Sequence, residues 1–69
     1  MGDQHGRVVG FDPQRGLGTV EAAGGARYRF HCTRIADGLR DIAVDAEVTF
    51  RVVPGHHGGW EADAVRPST

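Results

Sequence analysis

The 69-residue sequence has a single cysteine, Cys32, and it has no lysine and no long apolar run. One cysteine cannot form an intrachain disulfide, and it cannot supply a zinc site of the Cys-rich kind. No stretch approaches the ~18–20 apolar residues of a membrane-spanning helix, and the first residues lack the apolar core of a secretory signal. We therefore expect a cytoplasmic protein with no membrane contact.

The charge balance and the length limit the possible functions further. Eight basic residues, all arginine, oppose nine acidic ones, for a net charge of −1, so bulk electrostatics would not carry nonspecific binding to nucleic acid. The length predicts one domain, residues 1–69, with a small hydrophobic core. Eleven glycines and three prolines indicate many turns and argue against a helix bundle.

Turn residues divide the chain into short segments rich in β-branched or aromatic residues, which predicts strands. Alternation is clearest where Val48, Phe50 and Val52 share one face and Arg51 lies on the other. Closure into a small barrel would leave no strand edge unpaired. The predicted strands are Arg7–Phe11, Leu17–Ala22, Arg27–Cys32, Val48–Val53 and Trp60–Arg66. The predicted core is Val8, Val20, Tyr28, Phe30, Ile35, Ile42, Val48, Phe50, Val52 and Val65.

Six motifs in the expected order resemble those of bacterial cold-shock proteins, over about residues 6–67. The family's Lys-Gly-Phe-Gly-Phe-Ile motif corresponds to Arg15-Gly16-Leu17-Gly18-Thr19-Val20, and its Val-Phe-Val-His-Phe motif corresponds to Tyr28-Arg29-Phe30-His31-Cys32. The other four matches are at Gly6–Phe11, at Gly38-Leu39, at Val48–Val52 and at Gly59–Val65. The resemblance implies an all-β, five-stranded antiparallel OB-fold barrel that binds single-stranded RNA or DNA.

The sequence departs from this family in its aromatic residues. The family stacks successive bases on aromatic side chains of the outer face, at ~1–3 kcal/mol for each base. In this chain those positions hold other residue types, namely Gly10, Leu17, Thr19, Arg29, Cys32 and Leu39. The resemblance implies nucleic-acid binding. Because these aromatic residues are missing, we expect that binding to be weak and low in sequence specificity.

The candidate nucleic-acid-binding residues are Phe11, Arg15, Leu17, Arg29, His31, Leu39 and Trp60. We expect Phe11 and His31 to stack on bases, and Arg15, Arg29 and Arg7 to contact phosphates. Four of these residues also have an ordinary structural interpretation. Phe11 would pack at the barrel rim, His31 would be solvated, Arg29 would pair with an acidic neighbour and Trp60 would cover the loop from Pro54 to Gly59.

No arrangement of residues indicates catalysis, a metal or a cofactor. His56 and His57 lack zinc-ligand spacing, and His31 and Cys32, as neighbours on a strand, should face opposite ways. We expect a non-enzymatic monomer or weak homodimer. The alternative function is a protein-interaction module that has lost nucleic-acid binding, and an acidic or scattered candidate surface would favour it.

Overall fold

The computed structural model describes residues 3–36, 41–55 and 58–68. All five predicted segments are strands. The first, fourth and fifth are longer than predicted, and the second has the predicted bounds. The third is shorter: it ends at His31, and Cys32 begins a short 3-10 helix, Cys32–Arg34. The strands are β1 (Gln4–Asp12), β2 (Leu17–Ala22), β3 (Arg27–His31), β4 (Glu47–Pro54) and β5 (Trp60–Pro67).

Two tight turns connect the first three strands. Each contains a glycine, and side-chain hydrogen bonds support the first. After β1, the Asp12 carboxylate accepts hydrogen bonds from the backbone N–H groups of Gln14 and Arg15 at 3.0 and 3.3 Å. The turn ends at Gly16, whose φ of 66° is one that glycine adopts without strain. The second turn likewise contains a left-handed glycine, Gly25. These turns bring β1, β2 and β3 side by side on one outer face.

The strands form a closed barrel in the order β1-β2-β3-β5-β4, the OB-fold arrangement that the resemblance implies. Four of the five pairings are antiparallel, but β3 and β5 run parallel, with Arg29 opposite Glu61. The expectation of a purely antiparallel barrel was therefore wrong. The reason is geometric, because a closed ring with an odd number of strands cannot alternate direction at every pairing.

Within the described ranges, the core is a cluster of eight buried hydrophobic residues inside the barrel, and seven of them were predicted. Tyr28, Ile42 and Val52 are only partly buried and pack against this cluster. Ala62 is fully buried but was not predicted, because a small side chain gives little hydrophobic signal. The eight are Val8, Val20, Phe30, Ile35, Val48, Phe50, Ala62 and Val65.

Two irregularities in strand pairing adjust which side chains face the core. In β1 the register shifts between Val8 and Gly10. Where β4 meets β5, two residues, Ala64 and Val65, lie opposite Phe50. This bulge has Ala64 in a left-handed conformation, with φ of 51°, and it lets both Ala62 and Val65 point inward although they are three residues apart.

The connection between β3 and β4 contains no α-helix in the parts that are described, 35–36 and 41–46. Within the three described ranges, no helix has the length and apolar character needed to cross a membrane.

Candidate functional site

The outer face of β1, β2 and β3 presents rows of residues that lie opposite one another across the sheet. One row is formed by Gly10, Thr19 and Arg29. In an adjacent row Leu17 lies opposite His31. Four of the positions where the family has aromatic side chains are therefore neighbours on one face, namely Gly10, Leu17, Thr19 and Arg29.

An open groove of about 930 Å³ lies over this face. It brings together five of the seven candidate residues. Leu39 lies outside the described residues, and Trp60 does not line the groove. The five that line it are Phe11, Arg15, Leu17, Arg29 and His31.

Phe11 is half-buried and combines rim packing with access to the groove. Its ring stacks on the buried Phe30 ring, with centroids 6.1 Å apart and planes 12° from parallel. Gly18 makes this possible, because a methyl group built on it would lie 2.7 Å from Phe30 Cε1 and 3.0 Å from Phe11 Cδ1. The underlying ring holds Phe11 in place at the edge of the groove.

His31 caps the 3-10 helix, and this contact orients its imidazole ring. Nδ1 accepts a hydrogen bond from the Thr33 backbone N–H at 3.3 Å and lies 3.0 Å from the Thr33 hydroxyl. The hydrogen-bond network assigns the proton of the neutral ring to Nε2, so that the Nε2–H can donate to a ligand.

The Cys32 thiol lies 3.8 Å from His31 Nδ1, contrary to the expectation that the two side chains face opposite ways. That expectation assumed that the strand continues through Cys32, whereas the chain turns into the 3-10 helix there. Because Nδ1 already accepts from Thr33, this contact is not the arrangement of a base that activates a thiol.

The groove residues include three arginines and two carboxylates, a formal balance of 3 − 2 = +1. Arg15 lies 3.9 Å from Asp12 and Arg34 lies 3.4 Å from Asp63, which lies outside the groove. Both pairs are solvated and contribute little to stability. Arg29 has no carboxylate within 4.0 Å among the described residues. No carboxylate in the described ranges therefore forms the acidic pair that was the structural interpretation of Arg29.

Eight of the residues that line the groove were not among the candidates from the sequence. Three of these eight lie outside the first three strands, namely Thr33, Arg34 and Glu61. Thr33 and Arg34 reach the groove because the chain turns after β3. Glu61 reaches the groove because β5 pairs with β3, although the two strands are far apart in the sequence. The position of Glu61 has no local sequence signal, because it depends on how the barrel closes. Thr33 and Arg34 are placed by a local turn that the predicted strand Arg27–Cys32 did not include.

Trp60 is 62% exposed, although it is the largest side chain of the protein. It lies opposite Pro54 at the start of β5 and precedes Glu61, which does line the groove. Its position is thus next to the groove, on the β5 side. Five of the six candidate residues that are described therefore line one groove, and Trp60 lies outside it.

The groove offers an aromatic face, an imidazole donor and guanidinium groups, which suit a ligand that has both flat rings and anionic oxygens. Among the residues that are described, no group of three or more histidine, cysteine or acidic side chains has the geometry to hold a metal ion.

Comparison with known proteins identifies relatives over nearly the whole chain, although no protein-family profile matches it. The chain is 33% identical to cold shock protein CspB of Geobacillus stearothermophilus over 64 residues, which are 91% of this chain and 97% of the relative. It has the same identity and coverage with CspD of Bacillus subtilis. A cold shock-like protein CspD of Bacillus cereus is 31% identical over the same lengths. With this similarity and the five-stranded closed barrel, the chain belongs to the cold-shock protein family.

Proposed function

We propose that this protein binds single-stranded RNA or DNA in the groove over β1, β2 and β3, without catalysis and with weak sequence preference. The observation that carries the proposal is the placement of Phe11, His31 and three arginines along one groove. These residues supply stacking and electrostatic contacts, the two kinds of contact that single-strand binders combine.

The stacking part of the binding energy comes from few residues. Phe11 offers a ring supported from below by Phe30, and His31 offers an imidazole oriented by Thr33. The neighbouring position Leu17 gives apolar contact without a π face. With two stacking side chains in the groove, we expect weaker binding than a fully aromatic surface would give, and little preference for one base over another.

The electrostatic part comes from Arg15, Arg29 and, at the other end of the outer face, Arg7. Each phosphate contact on a single strand changes the logarithm of the association constant by about −0.7 for each tenfold rise in salt. A few arginines can contact only a few phosphates, so the salt dependence should be measurable but shallow.

We further propose that Trp60 and Leu39 extend the contact surface beyond the groove and that the protein acts as a monomer or weak homodimer. A cytoplasmic location, expected from the single cysteine, is part of the same proposal. Trp60 is exposed, so its fluorescence should be quenched by a strand that is long enough to reach β5.

The test is a titration with a fluorescein-labelled thymidine hexamer at two salt concentrations. The hexamer length lies within the ~4–16 nucleotides that an OB-fold covers. His31→Ala should weaken binding by roughly five- to hundredfold, the equivalent of one lost stack of ~1–3 kcal/mol. The loss should be similar at both salt concentrations, since stacking releases no counterions.

The matched control is His5→Ala, which removes an exposed histidine of β1 that does not line the groove. It should bind as the unmodified protein does. If the unmodified protein fails to bind any single strand at low salt, the proposal is wrong and the protein-interaction module becomes the better explanation of this surface.

A further inference from the structure

The residues at the centre of the groove differ in chemistry from the aromatic residues beside them. Across β1, β2 and β3 the central row consists of Gly10, Thr19 and Arg29. No atom lies within 4 Å of the position where a side chain on Gly10 would begin. The row therefore contains an open space, a hydroxyl group and a guanidinium group, all of which line the same groove.

Arg29 is distinguished from the other groove arginines by its charge environment. Arg15 and Arg34 each lie within 4.0 Å of a carboxylate, and so does Arg27, which precedes Arg29 by two residues. Arg29 has no such partner in the described part of the chain. Its cross-strand neighbour Glu61 does not pair with it.

The position of the Glu61 carboxyl explains why this pair does not form. The carboxyl lies against Gly55, so closely that a methyl group built on that glycine would be 2.6 Å from Oε2. As far as residues 3–36, 41–55 and 58–68 are concerned, the guanidinium of Arg29 is thus left to interact with solvent or with a ligand in the groove. An uncompensated guanidinium beside a hydroxyl is a set of hydrogen-bond donors that matches anionic oxygens.

The π faces of the site lie elsewhere in the groove. Phe11 lies opposite Gly18, and His31 lies opposite Leu17, so both are displaced from the central row along the strands. Neither Gly10 nor Thr19 offers a flat surface on which a base could stack. The centre of the sheet suits an anion, and the adjacent positions suit bases.

We propose that the row of Gly10, Thr19 and Arg29 is a phosphate subsite. A strand bound in the groove turns a phosphodiester, rather than a base, toward the centre of the sheet. Arg29 donates to the phosphate oxygens from its guanidinium and Thr19 donates from its hydroxyl, while Gly10 leaves the space that the phosphate occupies. The inference rests on the proposed function for the identity of the ligand.

The experiment compares two hexamers that carry the same phosphates, a thymidine hexamer and an abasic hexamer of deoxyribose phosphate. Arg29→Gln should weaken binding of both by a similar factor, about tenfold, because a charge-assisted contact is lost. It should also reduce the magnitude of the salt slope by about 0.7, the value for one phosphate. Arg29→Lys, which keeps the charge, should restore most of the slope.

Arg51→Gln is the matched control, since it makes the same change at an exposed arginine of β4 that does not line the groove. It should leave both affinities and both slopes unchanged. Glu61→Gln provides a second readout. Removing a negative charge from the groove should tighten binding of the abasic hexamer.

The outcomes separate this inference from the function on which it rests. Failure of the unmodified protein to bind the thymidine hexamer contradicts both. If Arg29→Gln weakens binding of the thymidine hexamer but not of the abasic one, Arg29 stacks on a base and the phosphate subsite is wrong. If Arg29→Gln leaves binding unchanged while His31→Ala weakens it, the phosphate subsite is also wrong. The proposed function then remains intact.

Discussion

Gly18 shows how one missing side chain determines the shape of the functional face. It lies on β2 beside both rings of the Phe11–Phe30 stack. Gly18→Ala would place a methyl group 2.7 Å from Phe30 Cε1, and such overpacking typically costs ~1–3 kcal/mol. We expect a fall in melting temperature, measured by circular dichroism, together with weaker binding of single strands because Phe11 is displaced.

Gly24→Ala is the control for this substitution. Gly24 lies in the exposed turn between β2 and β3, and a methyl group built on it would have no atom within 4 Å. The melting temperature should stay the same or rise slightly. If Gly18→Ala and Gly24→Ala changed the melting temperature equally, the close packing at Gly18 would not be what stabilises the stacked rings of Phe11 and Phe30.

Ala64 has a backbone conformation that its side chain disfavours. Its φ of 51° lies in the left-handed region, which costs a residue with a Cβ roughly 1–2 kcal/mol. Ala64→Gly relieves this strain and adds a smaller entropy cost, ~0.5–1 kcal/mol. We expect a net gain of up to ~1 kcal/mol, which raises the melting temperature of a domain of this size by about 4–8 °C.

The same substitution two residues earlier should have the opposite effect. Ala62 is fully buried and is not among the residues with positive φ. Ala62→Gly therefore removes a packed methyl group and adds backbone freedom to the unfolded chain. A lower melting temperature for Ala64→Gly would contradict the assignment of strain to the bulge.

At the scale of the strand, β4 is the element whose sequence pattern was most informative. Val48 and Phe50 are fully buried, Val52 is partly buried and Arg51 is exposed, as the alternation predicted. The Phe50 ring also packs against Tyr28, with centroids 5.9 Å apart. The buried side chains of Val48 and Phe50 therefore determine which face of β4 points into the barrel.

Phe50→Ala should cost ~3–5 kcal/mol. A chain of 69 residues has a total stability of about 3–10 kcal/mol, so this variant should lose a large part of its stability and unfold at a much lower urea concentration. Denaturation in urea checks this, with Phe50→Leu as a milder core variant and Arg51→Ala as a surface variant on the same strand. A folded Phe50→Ala protein with an unchanged midpoint would contradict the register of β4.

At the scale of the whole molecule, the stability depends on a core of eight residues, two of them aromatic. The sole cysteine is unpaired, and small cores of this kind give low to moderate stability. We expect unfolding in a single cooperative transition, with coincident curves from circular dichroism and Trp60 fluorescence. Neither a chelator nor a reducing agent should lower the melting temperature, and a marked drop with either one would contradict the prediction.

The sequence by itself determined the strands, the turns and most of the core. Alternating residues such as Val48 and Phe50 and breakers such as Gly16 and Gly25 act over a few neighbours, and each imposes a local backbone preference. The motif order was also sufficient to predict the barrel and five of the residues that line the groove. The strands and turns are local features, whereas the barrel and the groove residues were predicted from the resemblance of the motifs to the cold-shock family.

Tertiary structure alone decided the features that depend on closing the barrel. The parallel pairing of β3 with β5 follows from placing an odd number of strands in a ring, and it brings Glu61 to the groove. The turn after His31 adds Thr33 and Arg34 to the groove, and the bulge at Ala64 brings Ala62 inward. The turn after His31 is local, but the strand pattern did not predict it. The β3–β5 pairing and the bulge join residues whose proximity exists only after distant strands have paired, so no local pattern specifies them.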